Sequence, residues 1–452
     1  MKIAVIGSGI AGLAAAHTLV MEGEGAGAHA VTLFESAAYF GGHTHTVDVT
    51  LPGPAGPITH GVDTGFLVFN ERTYPGLIAL FGQLEVETAP SEMSFSVQVK
   101  SAQGEQAMEW SGTNVASVFA QRRNLFNWRF WRMLRDLRRF NAECNALVAR
   151  GGDAQLRQPL GEFLKQHRFS QAFAEWYFLP MVASIWSCPT RQMLEFPVST
   201  MIRFCHNHGL LQVTNRPQWW TVRGGARHYV EKITAKLHDK RLNSPVLAIE
   251  RLASASTGGV RIKTAAGSDY FDKVVIATHP DQALAMLLSP SELEQRTLGA
   301  IRFHPNRAVL HTDASVLPDR KSAWAAWNYE RLENPSLGDS KQAPSGSDPV
   351  CLHYLINRLQ ALPWQQSVIV SLNPLRDIAP DKILGQYSYA HPVFDHAAIK
   401  AQRQMAWLQG VQSTYFCGAW MGYGFHEDGL RAGVNAARLV LNQSAQPMEP
   451  RP

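Results

Sequence analysis

Residues 2–12 read Lys-Ile-Ala-Val-Ile-Gly-Ser-Gly-Ile-Ala-Gly, an apolar run that ends in three closely spaced glycines. Residues 2–6 form a short β-branched apolar run, the texture of a parallel strand covered on both faces. Residues 10–21 are rich in Ala and Leu and predict a helix; residues 23–27 predict a loop, and 31–34 a second strand. Strand, helix and strand in that order open an α/β domain. At the strand-to-helix turn, Gly7 permits the tight bend, Gly9 lets a pyrophosphate reach the backbone, and Gly12 lets the helix pack closely on the strand. The helix N-terminus, with Ile10 and Ala11 in its first turn, then faces the phosphates. Glu35 ends the second strand 23 residues after Gly12 and is followed by Ser36. It is placed to accept hydrogen bonds from a ribose diol, and its charge disfavours a 2′-phosphate, which speaks against NADP.

The next segment, Phe40-Gly41-Gly42-His43-Thr44-His45-Thr46, has its first glycine six residues after Glu35. Glycines here let backbone N–H groups face phosphate oxygens as an anion-binding nest, with His43 reaching phosphate or ribityl oxygens. A plain turn is the first alternative. A metal pair formed by the two histidines is the second, and it lacks an evident third ligand. No metal is expected.

At 452 residues and 45% hydrophobic, the chain suits two domains or one elaborated domain with a large core, not a disordered or fibrous protein. Its five cysteines are odd in number and show no C-x-x-C pair, so they read as reduced thiols of a cytosolic protein. The apolar run behind Lys2 imitates a signal peptide, but its glycines belong to the nucleotide turn. No run of about eighteen apolar residues predicts a membrane span, so any membrane contact comes from one side. The net charge of +5 is concentrated: seven arginines and one acid, Asp136, lie between Arg122 and Arg139. Outside that segment the remaining 35 basic and 36 acidic residues nearly cancel.

From 76 to 221 the texture turns to Arg-, Trp- and Phe-rich helical stretches. Strand signals return at 219–222, 246–249, 260–264 and 273–277, then at 308–311 and 368–372, and finally at 414–417, before a helix over 430–442. A Gly/Ser/Pro-rich loop is expected at 335–348. The alternation predicts a nucleotide-binding domain assembled from 1–75, 222–290 and 408–452, with a discontinuous α+β substrate domain from 76–221 and 291–407.

With these motifs in place, the chain resembles the flavin-containing amine oxidase superfamily, which also holds protoporphyrinogen oxidases and phytoene desaturases. Asp63-Thr64-Gly65-Phe66 is similar to its D-x-G segment beside the flavin. Arg223-Gly224-Gly225 resembles the stretch that returns the chain to the FAD domain. Val246 stands at the usual adenine contact, and Ile276-Ala277-Thr278-His279-Pro280 resembles the end of a further FAD-domain strand. Most diagnostic are 416–420, FCGAW, and 422–430, GYGFHEDGL, followed by Gly433. These resemble the segment that closes over the ribityl chain and isoalloxazine, with Gly418, Asp428, Gly429 and Leu430 in contact with the cofactor. The resemblance implies a Rossmann-like, GR2-type flavoprotein that binds FAD non-covalently. It departs from the pattern where His43 replaces an arginine and where Ala419 and Trp420 follow Gly418 without the usual acid. Cys417 invites a covalent link, but it ends a predicted buried strand.

A flavin accepts hydride from a C–H bond, so the protein chiefly binds, orients and tunes it. Amine oxidases add a lysine and two caging rings; residues 302–311, RFHPNRAVLH, hold no lysine, and the cage position falls near His426. His304 and His426 are the candidate catalytic groups, as base or donor. Trp324, Trp327, Tyr329, Tyr354 and Tyr389 are candidates to line an elongated apolar pocket. GGHTHTVDV, HPNRAVLHTD, INRLQ and HPVFD further resemble a bacterial branch of predicted NAD/FAD-binding proteins. Its genes often neighbour cyclopropane-fatty-acyl synthase-like methyltransferases. That implies a fatty-acyl chain or lipid as substrate, desaturase-like chemistry, and a lipid-modifying methyltransferase as partner. An amine or polyamine oxidase and a non-catalytic FAD-stabilised scaffold are the competing readings. The segment 122–140 predicts a basic amphipathic helix with Phe126, Phe130, Leu134 and Leu137 in one stripe. It reads either as a surface helix on the core or as a peripheral anchor on an anionic membrane's inner face. Nucleic acid is not an expected partner, because no binding motif accompanies the charge.

Overall fold

The computed structural model describes residues 1–22, 29–100, 106–150, 158–212, 216–252, 259–332 and 350–441. The loops expected at 23–27 and 335–348 lie outside these residues. Lys2–Ile6 is the central strand of a parallel five-stranded sheet ordered Asp239–Arg241, Ala30–Phe34, Lys2–Ile6, Lys273–Ile276 and Thr414–Phe416. Ile3 to Ile6 are all nearly inaccessible, as a strand covered on both faces requires. One face carries the helix Ile10–Met21 and the C-terminal helix His426–Val440, which cross where Gly433 lies on the backbone of Ala11. The other face packs a meander, Ala248–Leu252, Gly259–Thr264 and Gly267–Phe271. The second sheet has seven strands, ordered Ile383–Pro392, Phe303–His311, Ile369–Leu372, Cys351–Leu355, Trp327–Leu332, Phe95–Lys100 and Gln106–Ser111.

Two features differ from the sequence reading. Thr88–Ser91, Phe95–Lys100 and Gln106–Ser111 are strands in a stretch where the sequence predicts helical texture. Gln106–Ser111 pairs antiparallel with Phe95–Lys100, but the other pairings are non-local: Thr88–Ser91 pairs with Trp219–Val222, and Phe95–Lys100 runs parallel to Trp327–Leu332, with Phe95 opposite Trp327. The Arg-rich helix spans Trp128–Ala149, so Phe126 falls in the 3-10 turn before it and leaves the expected stripe. Phe130, Met133, Phe140 and Cys144 form the buried face, while Leu134 and Leu137 pack only partly on the core. The stripe is therefore a core contact. Phe126 itself is 91% exposed.

Candidate FAD and substrate cavity

A cavity of about 520 Å³ runs from the glycine turns into the space between the second sheet and the helices of 128–210. At its inner end stand Gly9, Ile10, Ala11, His43, Gly65, Phe66, Ala277, Gly418 and Ala419, brought from five separated stretches of sequence. The first turn carries a dinucleotide fit. Gly7 has φ +96°, a conformation that a side chain disfavours, and a Cβ on Gly12 would overlap the Gly7 carbonyl. Nothing lies within 4 Å of where a Gly9 Cβ would project, which leaves space at the helix end. Gly9 caps Ile10–Met21 without a side-chain bond, and no acid stands in the first turn. The first amides are therefore free of side-chain acceptors and face a site suited to phosphate.

Ser8 ties the two glycine turns together and was not singled out from sequence. Its N–H and Oγ donate to Glu35 Oε2 at 2.9 and 2.5 Å, while its Oγ accepts from Gly41 N at 3.0 Å. Ala37 N and the Ser36 hydroxyl hold Glu35 Oε1 at 2.9 and 3.2 Å. Glu35 is thus a fixed acceptor at the strand end. Ser244 N bonds the Glu35 carbonyl at 2.8 Å, bringing the segment before Val246 beside it. Gly42 has φ +58° and its Cα side abuts Gly9, so the second turn closes directly on the first.

Asp63 departs from its expected place beside the flavin. It does not line the cavity; its carboxylate accepts from Thr46 Oγ1 (2.5 Å), Ala226 N (2.9 Å) and Gln360 Nε2 (2.8 Å). Burial raises its pKa to about 7 against the pull of those bonds. Its role is to bind the Arg223-Gly224-Gly225 return to the 46–63 hairpin and to Gln360. Asp428 is likewise turned inward, accepting from Tyr423 N and Phe425 N at 3.0 Å each, with burial lifting its pKa to about 6. It shapes the covering loop. Gly429 packs on Ile10, and Leu430 is buried in the same cluster. Cys417 is fully buried off the cavity, its thiol pushed up to about 12 by burial.

The histidines divide unequally. His304 does not line the cavity; it lies opposite His391 across the pair Phe303–His311 and Ile383–Pro392. His391 is the one that lines it, together with His43, His279 and His426. His426 stacks on Phe66 with ring centroids 3.7 Å apart. Its Nε2 is 3.0 Å from both Thr44 Oγ1 and Tyr229 OH. Desolvation lowers its pKa to about 3, and the same cause takes His43 to about 4 and His391 to about 3. Burial thus favours the neutral form of all three, and His426 is held in place between Thr44 and Tyr229. His43 Nε2 is buried without a hydrogen-bond partner.

The proton on His391 is set by its neighbours. Arg307 N–H donates to Asn373 Oδ1 (2.9 Å), which orients that amide so that its Nδ2 donates to Asn306 Oδ1 (2.7 Å). Asn306 Nδ2 then donates to His391 Nδ1 at 2.9 Å. A neutral imidazole accepting at Nδ1 carries its hydrogen on Nε2. His391 is therefore locked as an Nε2–H donor on the cavity wall.

Of the expected pocket rings, Trp327 and Tyr354 line the cavity, edge to face at 5.1 Å. The other three do not. Trp324 bonds Pro318 O at 2.7 Å and packs in a separate cluster, and Tyr329 is core. Tyr389 sits behind the wall, its hydroxyl 2.6 Å from Thr64 Oγ1 and its ring 5.1 Å from His43. The lining residues that are themselves exposed, Glu92, Gly112, Thr113 and Arg216, mark the mouth.

Residues 10–441 match the family described as flavin containing amine oxidoreductase. The chain belongs to that family. The flavoprotein is accordingly an FAD-dependent oxidoreductase, and FAD is its cofactor. The fold is shared with solved structures of low identity. A CLA-producing fatty acid isomerase from P. acnes is 16% identical (TM-score 0.62), with 97% of this chain and 98% of that one covered. Putrescine oxidase bound to putrescine is 14% identical (TM-score 0.65), with 98% and 100% covered. Cyclohexylamine oxidase from Brevibacterium oxydans is 16% identical (TM-score 0.63), with 98% of each chain covered. No curated protein matches the sequence.

Proposed function

We propose that the flavoprotein dehydrogenates an apolar substrate bearing a fatty-acyl chain. Bound FAD supplies the hydride acceptor; the protein binds the chain, excludes water and holds the reacting carbon against the histidine-lined wall. The observation that carries this reading is the outer cavity, walled by Val68, Met93, Phe95, Met181, Ile185 and Leu210. Apolar walls of this kind favour methylene chains, at about 0.8 kcal/mol per buried CH₂. Charge at the mouth favours an anionic head. Glu92 is held by Arg358 at 2.7 Å and by Ser94 at 2.5 Å, whereas Arg216 has no carboxylate partner among the described residues. An ammonium substrate would meet Arg216 on entry and neutral imidazoles within.

The test is product analysis. Holoenzyme incubated with methyl-branched and straight-chain fatty acids and an electron acceptor yields acids two hydrogens lighter, read by mass spectrometry. Arg216→Gln raises KM for the free acids about tenfold, the worth of one charge-assisted contact, with kcat little changed. Unchanged acids together with peroxide release from amines would replace this reading by amine oxidation.

A further inference from the structure

The face beside the cavity mouth carries an unusual surface. Of the sixteen strongly exposed large apolar side chains among the described residues, five fall between 115 and 131: Val115 (77%), Leu125 (45%), Phe126 (91%), Trp128 (68%) and Trp131 (49%). They come from the short helix Val115–Val118, the 3-10 turn Arg122–Phe126 and the first turn of Trp128–Ala149. Asn127 caps that last helix by accepting from Arg129 N and Phe130 N, which fixes the chain so that Phe126 and Trp128 project outward. Six arginines, 122, 123, 129, 132, 135 and 138, are exposed beside them, and the one acid of the segment, Asp136, is buried on Ser170 N. The helix's inward face is already filled by core, so these rings are not a stripe awaiting an intramolecular partner.

The surface adjoins the cavity. Gly112 and Thr113, exposed at the mouth, immediately precede Val115. Trp110, on the cavity wall, lies 5.9 Å from Phe130 and donates its Nε1 to Trp176 O; Arg129 stands over the Trp176 ring.

We infer that residues 115–138 dock the flavoprotein on an anionic lipid bilayer, with Phe126, Trp128 and their neighbours in the interface and the arginines on headgroups. The occupant follows from the chemistry. Aromatic rings rimmed by guanidinium groups match the depth and charge of a bilayer interface, where arginines are drawn to anionic headgroups. Docking in this way sets the mouth at Gly112 and Thr113 close to the lipid. The inference stands apart from the choice of substrate.

The experiment is flotation of holoenzyme with vesicles of phosphatidylcholine alone and of phosphatidylcholine mixed equally with phosphatidylglycerol, at low salt. The expected result is binding to the mixed vesicles only, with a blue shift of tryptophan emission. Phe126→Ser and Trp128→Ala each weaken it about tenfold, while Arg132→Gln with Arg135→Gln weakens it severalfold and reduces its salt dependence. All four side chains are exposed, so retained flavin absorbance verifies that the variants fold. Failure of holoenzyme to float with either vesicle, or equal binding by parent and ring variants, overturns the inference. So does a dimer that the ring variants dissolve without any vesicle binding, since the face would then belong to a second copy of the chain.

Discussion

Two histidine clusters meet the seven-stranded sheet, one wholly within it and one joined to it through His391, and they differ in how their polar atoms are satisfied. Away from the cavity, Glu330, His353, Ser371 and His311 form a row across four neighbouring strands, each residue at most 3% exposed. Asp313 N–H donates to His311 Nδ1 at 3.0 Å, which places the His311 hydrogen on Nε2, aimed at Ser371 Oγ 2.7 Å away. Ser371 Oγ then donates to His353 Nδ1 (2.6 Å), and His353 Nε2 to Glu330 Oε2 (2.8 Å). Arg376 and Lys100 face Glu330 at 3.2 and 3.9 Å. Within the row His311–Ser371–His353–Glu330 each side-chain donor meets one acceptor, although Arg376 Nε and Nη2 beside it make no hydrogen bond. Cys351 joins Glu330 and His353 in a grouping close enough to hold a cation, but the row puts a proton on the very nitrogen a metal would need. In the cavity, by contrast, His43 Nε2 has no partner and His391 presents an Nε2–H that the protein's own relay leaves unspent. Closed networks hold strands together; open ones await a ligand.

The sharpest break of this contrast is Glu330→Ala, which strands Arg376, Lys100 and His353. It should cost about 3–5 kcal/mol of stability, read by denaturant unfolding, while the folded fraction keeps its flavin spectrum. Gly9→Glu is the opposite case. Its side chain enters open space, so folding persists, but its charge at the phosphate-facing helix end should weaken FAD retention about 100-fold, measured by equilibrium dialysis.

Smaller effects follow from the titrating groups. The cavity histidines have folded pKa values below the ordinary 6.5, so the unfolded chain binds protons first as pH falls. Their stabilisation is complete above pH 6.5 and is lost on acidification toward about pH 4 for His43 and about pH 3 for His391 and His426. Asp63, raised to about 7, acts in the opposite sense: its contribution is lost as pH rises from about 4 to 7, which partly offsets the histidines. His426→Phe should flatten the acid limb by about 1.4 kcal/mol per pH unit relative to the parent, read from urea midpoints across that window. Least in stability, about 1 kcal/mol, is Asn306→Leu, which removes the donor that fixes the His391 tautomer; its signature is a shift of the flavin absorption bands in the folded holoenzyme.

What the sequence revealed follows the range of the forces involved. The strand, glycine turn, helix and Glu35 were legible because each depends on neighbours within about thirty residues, and the helix Ile10–Met21 begins and ends where its pattern does. The strands between 88 and 111 are hard to read locally because Thr88–Ser91 pairs with Trp219–Val222 and Phe95–Lys100 with Trp327–Leu332, both more than a hundred residues away. His304 is singled out by the strand that carries the expected catalytic position; only the fold shows that His391, opposite it across the strand pair, is the residue that lines the cavity. Asp63 is placed beside the flavin only by the resemblance of Asp63-Thr64-Gly65-Phe66 to the family's D-x-G segment; its three protein donors become visible only in the fold.

The central claim is that this cavity brings an acyl chain to FAD, and an anaerobic absorption spectrum of the holoenzyme tests it most directly. Addition of bacterial lipid containing methyl-branched and cyclopropane chains should bleach the oxidised flavin bands, whereas a panel of amines should leave them unchanged. Bands that persist with every lipid and bleach with an amine would contradict the account.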